Sequence, residues 1–105
     1  MTEQRKSARK IFKVKAIVAM EGQAPVLGHT TDIGANGVSI TVPHPLQAGQ
    51  AGLVSFDLLV DGKSVSLQVR SKVMYSILSH GEFKVGFQFL HLDLAAMSQL
   101  TRFLR

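Results

Sequence analysis

The sequence predicts an all-β domain: a small antiparallel barrel of six or so short strands, closed by one C-terminal α-helix. Three observations carry that expectation. Apolar residues alternate at period two through several segments separated by Gly-, Pro- and Asp-rich breaks, the pattern of half-buried strands. Two of those segments are joined by Asp61-Gly62, a two-residue turn of the kind that closes hairpins. The last dozen residues change to a 3.6-residue apolar period, which is helical. A chain of 105 residues is one domain, long enough for a single core without staples.

Along the chain, "IFKVKAIVAM" (11–20) sets Phe12, Val14, Ala16, Val18 and Met20 on one side of a strand, with Lys13 and Lys15 on the other. "EGQAP" is a turn and "VLGHTTD" a second strand. "IGANG" interrupts it, and "GVSITV" resumes with Val38, Ile40 and Val42 aligned. In the loop "PHPLQAGQ", Pro43 and Pro45 exclude a central strand. The hairpin around Asp61-Gly62 sets Val60 opposite Lys63, Leu58 opposite Val65, Phe56 opposite Leu67 and Val54 opposite Val69. One face of that ladder is apolar, while Asp57, Ser66, Ser55 and Gln68 fall on the other. "KVGFQFLHL" gives a further strand with Val85, Phe87 and Phe89 on one side. Asp93 is placed as a helix N-cap. After it Ala96, Met97, Leu100, Phe103 and Leu104 form an apolar stripe, and Arg102 and Arg105 suit the negative end of the helix dipole.

Several chemistries find no support. There is no cysteine, which excludes disulfides and thiolate metal sites. No apolar run approaches the roughly 18–20 residues of a membrane span, and no signal peptide is visible, so a cytoplasmic protein is expected. His29, His44, His80 and His91 lack metal or catalytic spacing, and neither a phosphate-binding P-loop nor a nucleophile elbow occurs. Asp61 is taken by its turn and Asp57 has no evident partner. Met20, Met74 and Met97 read as core filler. Tyr75, the only tyrosine, and the phenylalanines read as strand-core residues, which leaves no exposed aromatic platform for single-stranded nucleic acid. Catalysis and metal or cofactor binding are not expected.

The charge is more informative. Arg5, Lys6, Arg9, Lys10, Lys13 and Lys15 stand against Glu3 alone in residues 1–15, while residues 16–105 carry six basic and six acidic side chains. The whole excess of +5 therefore lies at the start of the chain, which favours a local anionic partner. Two motifs offer parts for one. Arg5-Lys6-Ser7-Ala8-Arg9 supplies two guanidinium forks, each able to take two phosphate oxygens or the O6/N7 edge of a guanine. Twenty-three residues after Arg9 comes Asp32-Ile33-Gly34-Ala35-Asn36-Gly37. There a carboxylate can accept from a guanine's N1–H and N2–H₂, and the glycines would allow positive φ and close backbone approach. Taken singly, each has a plain alternative: a solvated basic tail, and a tight turn between strands.

In order and at this spacing, the motifs resemble the PilZ domain family, bacterial receptors for cyclic di-GMP. That family is marked by RxxxR, then [D/N]xSxxG, then a strand of apolar-Gly-apolar-x-Phe form. Arg5 to Arg9 match the first, Asp32 and Gly37 the second, and "VGFQF" (85–89) the third. The resemblance covers essentially the whole chain. It implies a six-stranded antiparallel barrel over 11–105, with a helix over about 93–104. A flexible basic arm, residues 1–10, would wrap over the ligand. By the family pattern Arg5 and Arg9 would bind phosphates and guanine edges, Asp32 a guanine, and Gly37 would let the backbone come close, with Gly34 at the motif's remaining ligand-binding position.

The chain departs from the pattern at two positions. Gly34 replaces the family serine, and a lost hydrogen bond to a charged group weakens binding by about 1.5–3 kcal/mol. Gln4 stands where many members carry a further arginine, which points to one bound ligand rather than a stacked pair. The implied function is a stand-alone cyclic di-GMP receptor that relays its signal to an effector protein in motility, pilus, biofilm or exopolysaccharide control, as a monomer or weak dimer. The alternatives are an interaction module of the pilus or motility machinery that does not bind the nucleotide, and nonspecific nucleic-acid binding through the arm.

Overall fold

The computed structural model describes residues 9–105. Seven strands precede one helix: β1 Lys10–Ile11, β2 Lys15–Met20, β3 Val26–Ile33, β4 Gly37–Val42, β5 Ala51–Val60, β6 Lys63–Ser79, β7 Glu82–His91 and α1 Leu94–Leu104. All pairings are antiparallel. The order β3-β2-β5-β6-β7-β4 closes on itself through a β3–β4 pairing, which gives the expected six-stranded barrel. β1 is an extra two-residue strand on the end of β3, with Lys10 opposite Ile33 and Ile11 opposite Asp32.

The hairpin register read from the sequence is the one observed, from Val54↔Val69 to Val60↔Lys63. Asp61 and Gly62 both take positive φ, 51° and 78°, as a two-residue turn matched to the strand twist requires. A second left-handed pair, His80 and Gly81 (φ 52° and 81°), makes the β6–β7 hairpin; the sequence reading leaves it unassigned. β6 runs for 17 residues. At roughly 3.3 Å per residue that is about 55 Å of extended chain, longer than the 36 Å greatest dimension of the domain. The strand therefore bends. It pairs with β5 as far as Lys72 and with β7 from Arg70 onward, and irregularities at Arg70/Ser71 and Val73/Tyr75 mark the change.

The inward faces of the strands form the core, where Val18, Ile33, Val38, Ile40, Val54 and Val85 are fully buried. The helix closes one end. Asp93 caps it, accepting from the Ala96 N–H at 2.7 Å, and Leu100 is buried beneath it. Phe103 meets Phe12 edge to face at 5.0 Å, and Phe12 meets Phe56 at 5.9 Å. Lys10 Nζ donates to the Phe103 carbonyl at 3.0 Å and lies 4.4 Å from the centre of its ring, joining the start of the chain to the last helical turn. Arg102, in the last turn, pairs with Asp61 of the β5–β6 turn.

Three expectations need correction. The strand read over 11–20 is broken at residues 12–14, because Thr30 of β3 inserts its hydroxyl there. That one group accepts from the Val14 N–H at 2.9 Å and donates to the Phe12 carbonyl. The Thr30 N–H meanwhile donates to Val14 O at 2.8 Å. Replacing Thr30 by valine keeps the shape but orphans those backbone groups, so a loss of about 2–3 kcal/mol is expected in urea denaturation. Second, Met74 and Met97 are not core filler: they are half exposed, at 50% and 46%, and of the three methionines expected in the core Met20 alone is buried. Met97 sits on the outer side of α1, while Ala96, Leu100, Phe103 and Leu104 pack inward. Third, Tyr75 is 41% exposed and lies outside the barrel.

Candidate ligand-binding site

Strict alternation along β3 would turn Asp32 inward with Gly28 and Thr30. The register shift prevents this: Thr30 pairs with Ile40, Asp32 with Ser39 and Ile33 with Val38, leaving Thr31 as an extra residue. The bulge sends Thr31 and Asp32 outward together and returns Ile33 to the core. One inserted residue thus places a carboxylate on the outer wall without disturbing the apolar register on either side.

β1 then brings Arg9 to that carboxylate. With Ile11 opposite Asp32 and Lys10 opposite Ile33, Arg9 stands beside the β3–β4 connection. Its Nε lies 2.7 Å from Asp32 Oδ1, and its Nη2 reaches the Gly37 carbonyl at 3.4 Å. The second Asp32 oxygen faces Lys84 Nζ of β7 at 3.6 Å. The carboxylate therefore has a cation at each oxygen. The Arg9 and Lys84 side chains are about two-fifths exposed, and that of Asp32 about one quarter. Such solvated pairs contribute only about 0–1 kcal/mol to folding. An anionic ligand that takes over the Arg9 guanidinium has little protein stability to overcome.

Gly37 and Gly34 behave differently from expectation. Neither has positive φ; the glycines that do are Gly22, Gly49, Gly62 and Gly81. Gly37 is required by a close approach to β7: a Cβ there would sit 2.1 Å from the Phe87 carbonyl oxygen. Gly34 is buried, and its N–H donates to the Gly37 carbonyl at 2.9 Å, the same oxygen that Arg9 reaches. The connection is tied to β7 by the Phe89 N–H, which donates to Asn36 O at 2.9 Å.

Of the residues singled out in the sequence, Arg9, Asp32, Gly34 and Gly37 therefore come together. Arg5 and Gln4, with residues 1–8 of the expected arm, lie outside the described residues. Two neighbours are not read as site residues from the sequence: Lys84, and Tyr75, which reads there as core. For Lys84 the signal was present: in "KVGFQF" it shares the outward phase with Gly86 and Gln88. From Arg9 a shallow hollow of about 310 Å³ extends across β4 and β7 to Tyr75 on β6. Among the described residues no group of three or more His, Asp or Glu side chains is assembled for a metal ion. No described helix is long and apolar enough to cross a membrane.

These motif residues meet on the wall of a six-stranded barrel, and the PilZ domain matches the chain over residues 3–105. The chain belongs to the PilZ domain family. This is a family of regulatory or binding domains, not a family of enzymes. The PilZ fold is shared with the inhibitor of motility MotI/DgrA of Bacillus subtilis, at TM-score 0.79 and 12% identity. That likeness covers 94% of this chain and 49% of the other, so the chain spans about half the length of the Bacillus protein. The PilZ domain of YcgR from Escherichia coli, solved with c-di-GMP, gives TM-score 0.73 at 12% identity over 97% of this chain and 89% of that one. The PilZ domain of CeSA from a cellulose-synthesizing bacterium gives 0.62 at 19% identity, covering 92% and 94%. Identities this low establish a common fold. No curated protein matches the chain in sequence.

Proposed function

We propose that this PilZ domain is a receptor for cyclic di-GMP that passes the binding event to a protein partner. The observation that carries the reading is the Arg9–Asp32–Gly37 cluster. The second arginine of RxxxR and the carboxylate of the [D/N]xSxxG motif are in contact at 2.7 Å, on the outer wall of the barrel. In the receptor, Arg9 and Arg5 bind phosphate oxygens or the O6/N7 edge of a guanine through charge-assisted bonds, and Asp32 accepts from the N1–H and N2–H₂ edge. Lys84 adds positive charge beside a ligand with two phosphodiesters. An arm ordered over the ligand loses conformational freedom, which those bonds offset, and its new position is the signal.

One observation favours a second reading. Gly34, where the family motif has serine, is buried and offers no hydroxyl. A barrel of this family that does not bind the nucleotide would act as a docking module in pilus or motility machinery. Calorimetric titration with cyclic di-GMP, with cyclic di-AMP and GTP as controls, decides between the two. The receptor gives saturable heat at micromolar cyclic di-GMP and none of comparable affinity with the controls. Absence of heat at that concentration rejects it in favour of the docking module.

A further inference from the structure

The hollow beside Arg9 ends at an aromatic ring. On β6 the register passes from Val73↔Phe87 to Tyr75↔Gly86, with Met74 as the extra residue, so Met74 and Tyr75 both face outward. Tyr75 therefore lies opposite Gly86, the glycine of the "VGFQF" strand. A Cβ at Gly86 would stand 2.2 Å from Cε2 and 2.4 Å from Cζ of the Tyr75 ring. The ring thus lies against the sheet surface where Gly86 has no side chain, and its hydroxyl is 3.5 Å from Ser39 Oγ on β4. Ser39 pairs with Gly86 on one side and with Asp32 on the other. Asp32, Ser39, Gly86 and Tyr75 therefore form one transverse row across β3, β4, β7 and β6. At about 4.8 Å per strand the row is roughly 14 Å long, with the charged cluster at one end and the ring at the other.

We propose that Tyr75 is a stacking platform for a purine base of the ligand. This rests on the receptor reading and deepens it. An aromatic ring usually hides both faces in a core; this one covers a glycine with one side and is 41% exposed. With Gly86 beneath it and Ser39 Oγ 3.5 Å from its hydroxyl, the ring presents a planar surface outward. Arg9 and Tyr75 line the same hollow, whose 310 Å³ falls at the small end of the roughly 300–1,000 Å³ of ligand pockets. Met74, half exposed on its rim, supplies a polarizable edge for a planar group. A phosphate held at Arg9 and a flat base laid over the β7–β6 face match the two ends of the row. A bare anion would have no use for the second.

The chain has one tyrosine and no tryptophan, so the emission of the unmodified protein reports Tyr75 alone. Titration with cyclic di-GMP, corrected for nucleotide absorption, is expected to quench that emission along the same isotherm as the calorimetric heat. Tyr75→Phe retains affinity within about threefold, whereas Tyr75→Ala weakens it by roughly 5- to 150-fold, the range for loss of one base–aromatic stack. Tyr75→Leu keeps an apolar cover on Gly86 but has no π face, and it is expected to weaken binding like alanine. If alanine prevents folding, leucine and the emission of the wild type still decide. Wild-type binding with unchanged emission, or a folded leucine variant within twofold of wild type, overturns the platform and leaves the receptor standing. No heat with the wild type overturns both.

Discussion

Replacing Arg9 by alanine is expected to abolish cyclic di-GMP binding at micromolar ligand while leaving the fold intact. Removing one partner of a hydrogen-bonded charge pair at an interface weakens binding by about 2–5 kcal/mol, roughly thirty- to several-thousand-fold. Within the protein, Arg9 takes part in one solvated ion pair with Asp32 and a long contact to the Gly37 carbonyl, so folding changes by no more than about 1 kcal/mol. The two readouts therefore separate: calorimetry loses its signal and the urea midpoint scarcely moves. Arg9→Lys is expected to rescue little, since an ammonium cannot reproduce the planar fork that spans two acceptors. A binding isotherm for Arg9→Ala matching wild type would remove Arg9 from the site.

Gly37→Ala is expected to act on the scaffold. The added Cβ would stand 2.1 Å from the Phe87 carbonyl oxygen, a backbone atom that cannot rotate away. Relief requires β4 to part from β7, its neighbour in the barrel wall along six residue pairs from Gly37↔Gln88 to Val42↔Phe83. A loss of roughly 3 kcal/mol or more follows, beyond ordinary overpacking, because no side chain is free to yield. Against the roughly 5–15 kcal/mol that stabilises a domain, that is a large share. Urea denaturation measures it directly, and a variant within about 1 kcal/mol of wild type would show that the seam can give. This glycine of the motif is thus fixed by strand packing, whatever it also does for a ligand.

The parts of the fold legible in the sequence are those where one local rule holds without interruption. Asp61-Gly62 fixed a turn, the turn fixed the pairing of Val54 with Val69, and the alternation of the two strands agreed with it. Asp93 was readable because a cap needs one side chain and a following helical stripe. The bulges were not readable. An extra residue at Thr31 or Met74 breaks the period on which reading a strand depends, and these are the places where Asp32 and Tyr75 leave the core phase. The break at residues 12–14 has the same character: it depends on Thr30, a polar residue in an inward position, reached only through tertiary pairing. The charged cluster of the candidate site was thus visible through its motif, while the exposure of Tyr75 was hidden because it sits in an apolar-rich stretch that reads as core.

Arg9 and Lys10 are consecutive, yet their side chains are held by different elements. Arg9 is held at the outer wall by Asp32, and Lys10 at the last turn of α1 by the Phe103 carbonyl and ring. A single peptide unit therefore belongs to two equilibria. An occupant of the site that repositions this stretch of backbone would also alter the contacts by which Lys10 holds the helix end. Linkage makes such a coupling reciprocal: a partner that grips the end of α1 would change the affinity of the wall site by the factor by which the site's occupant changes the partner's.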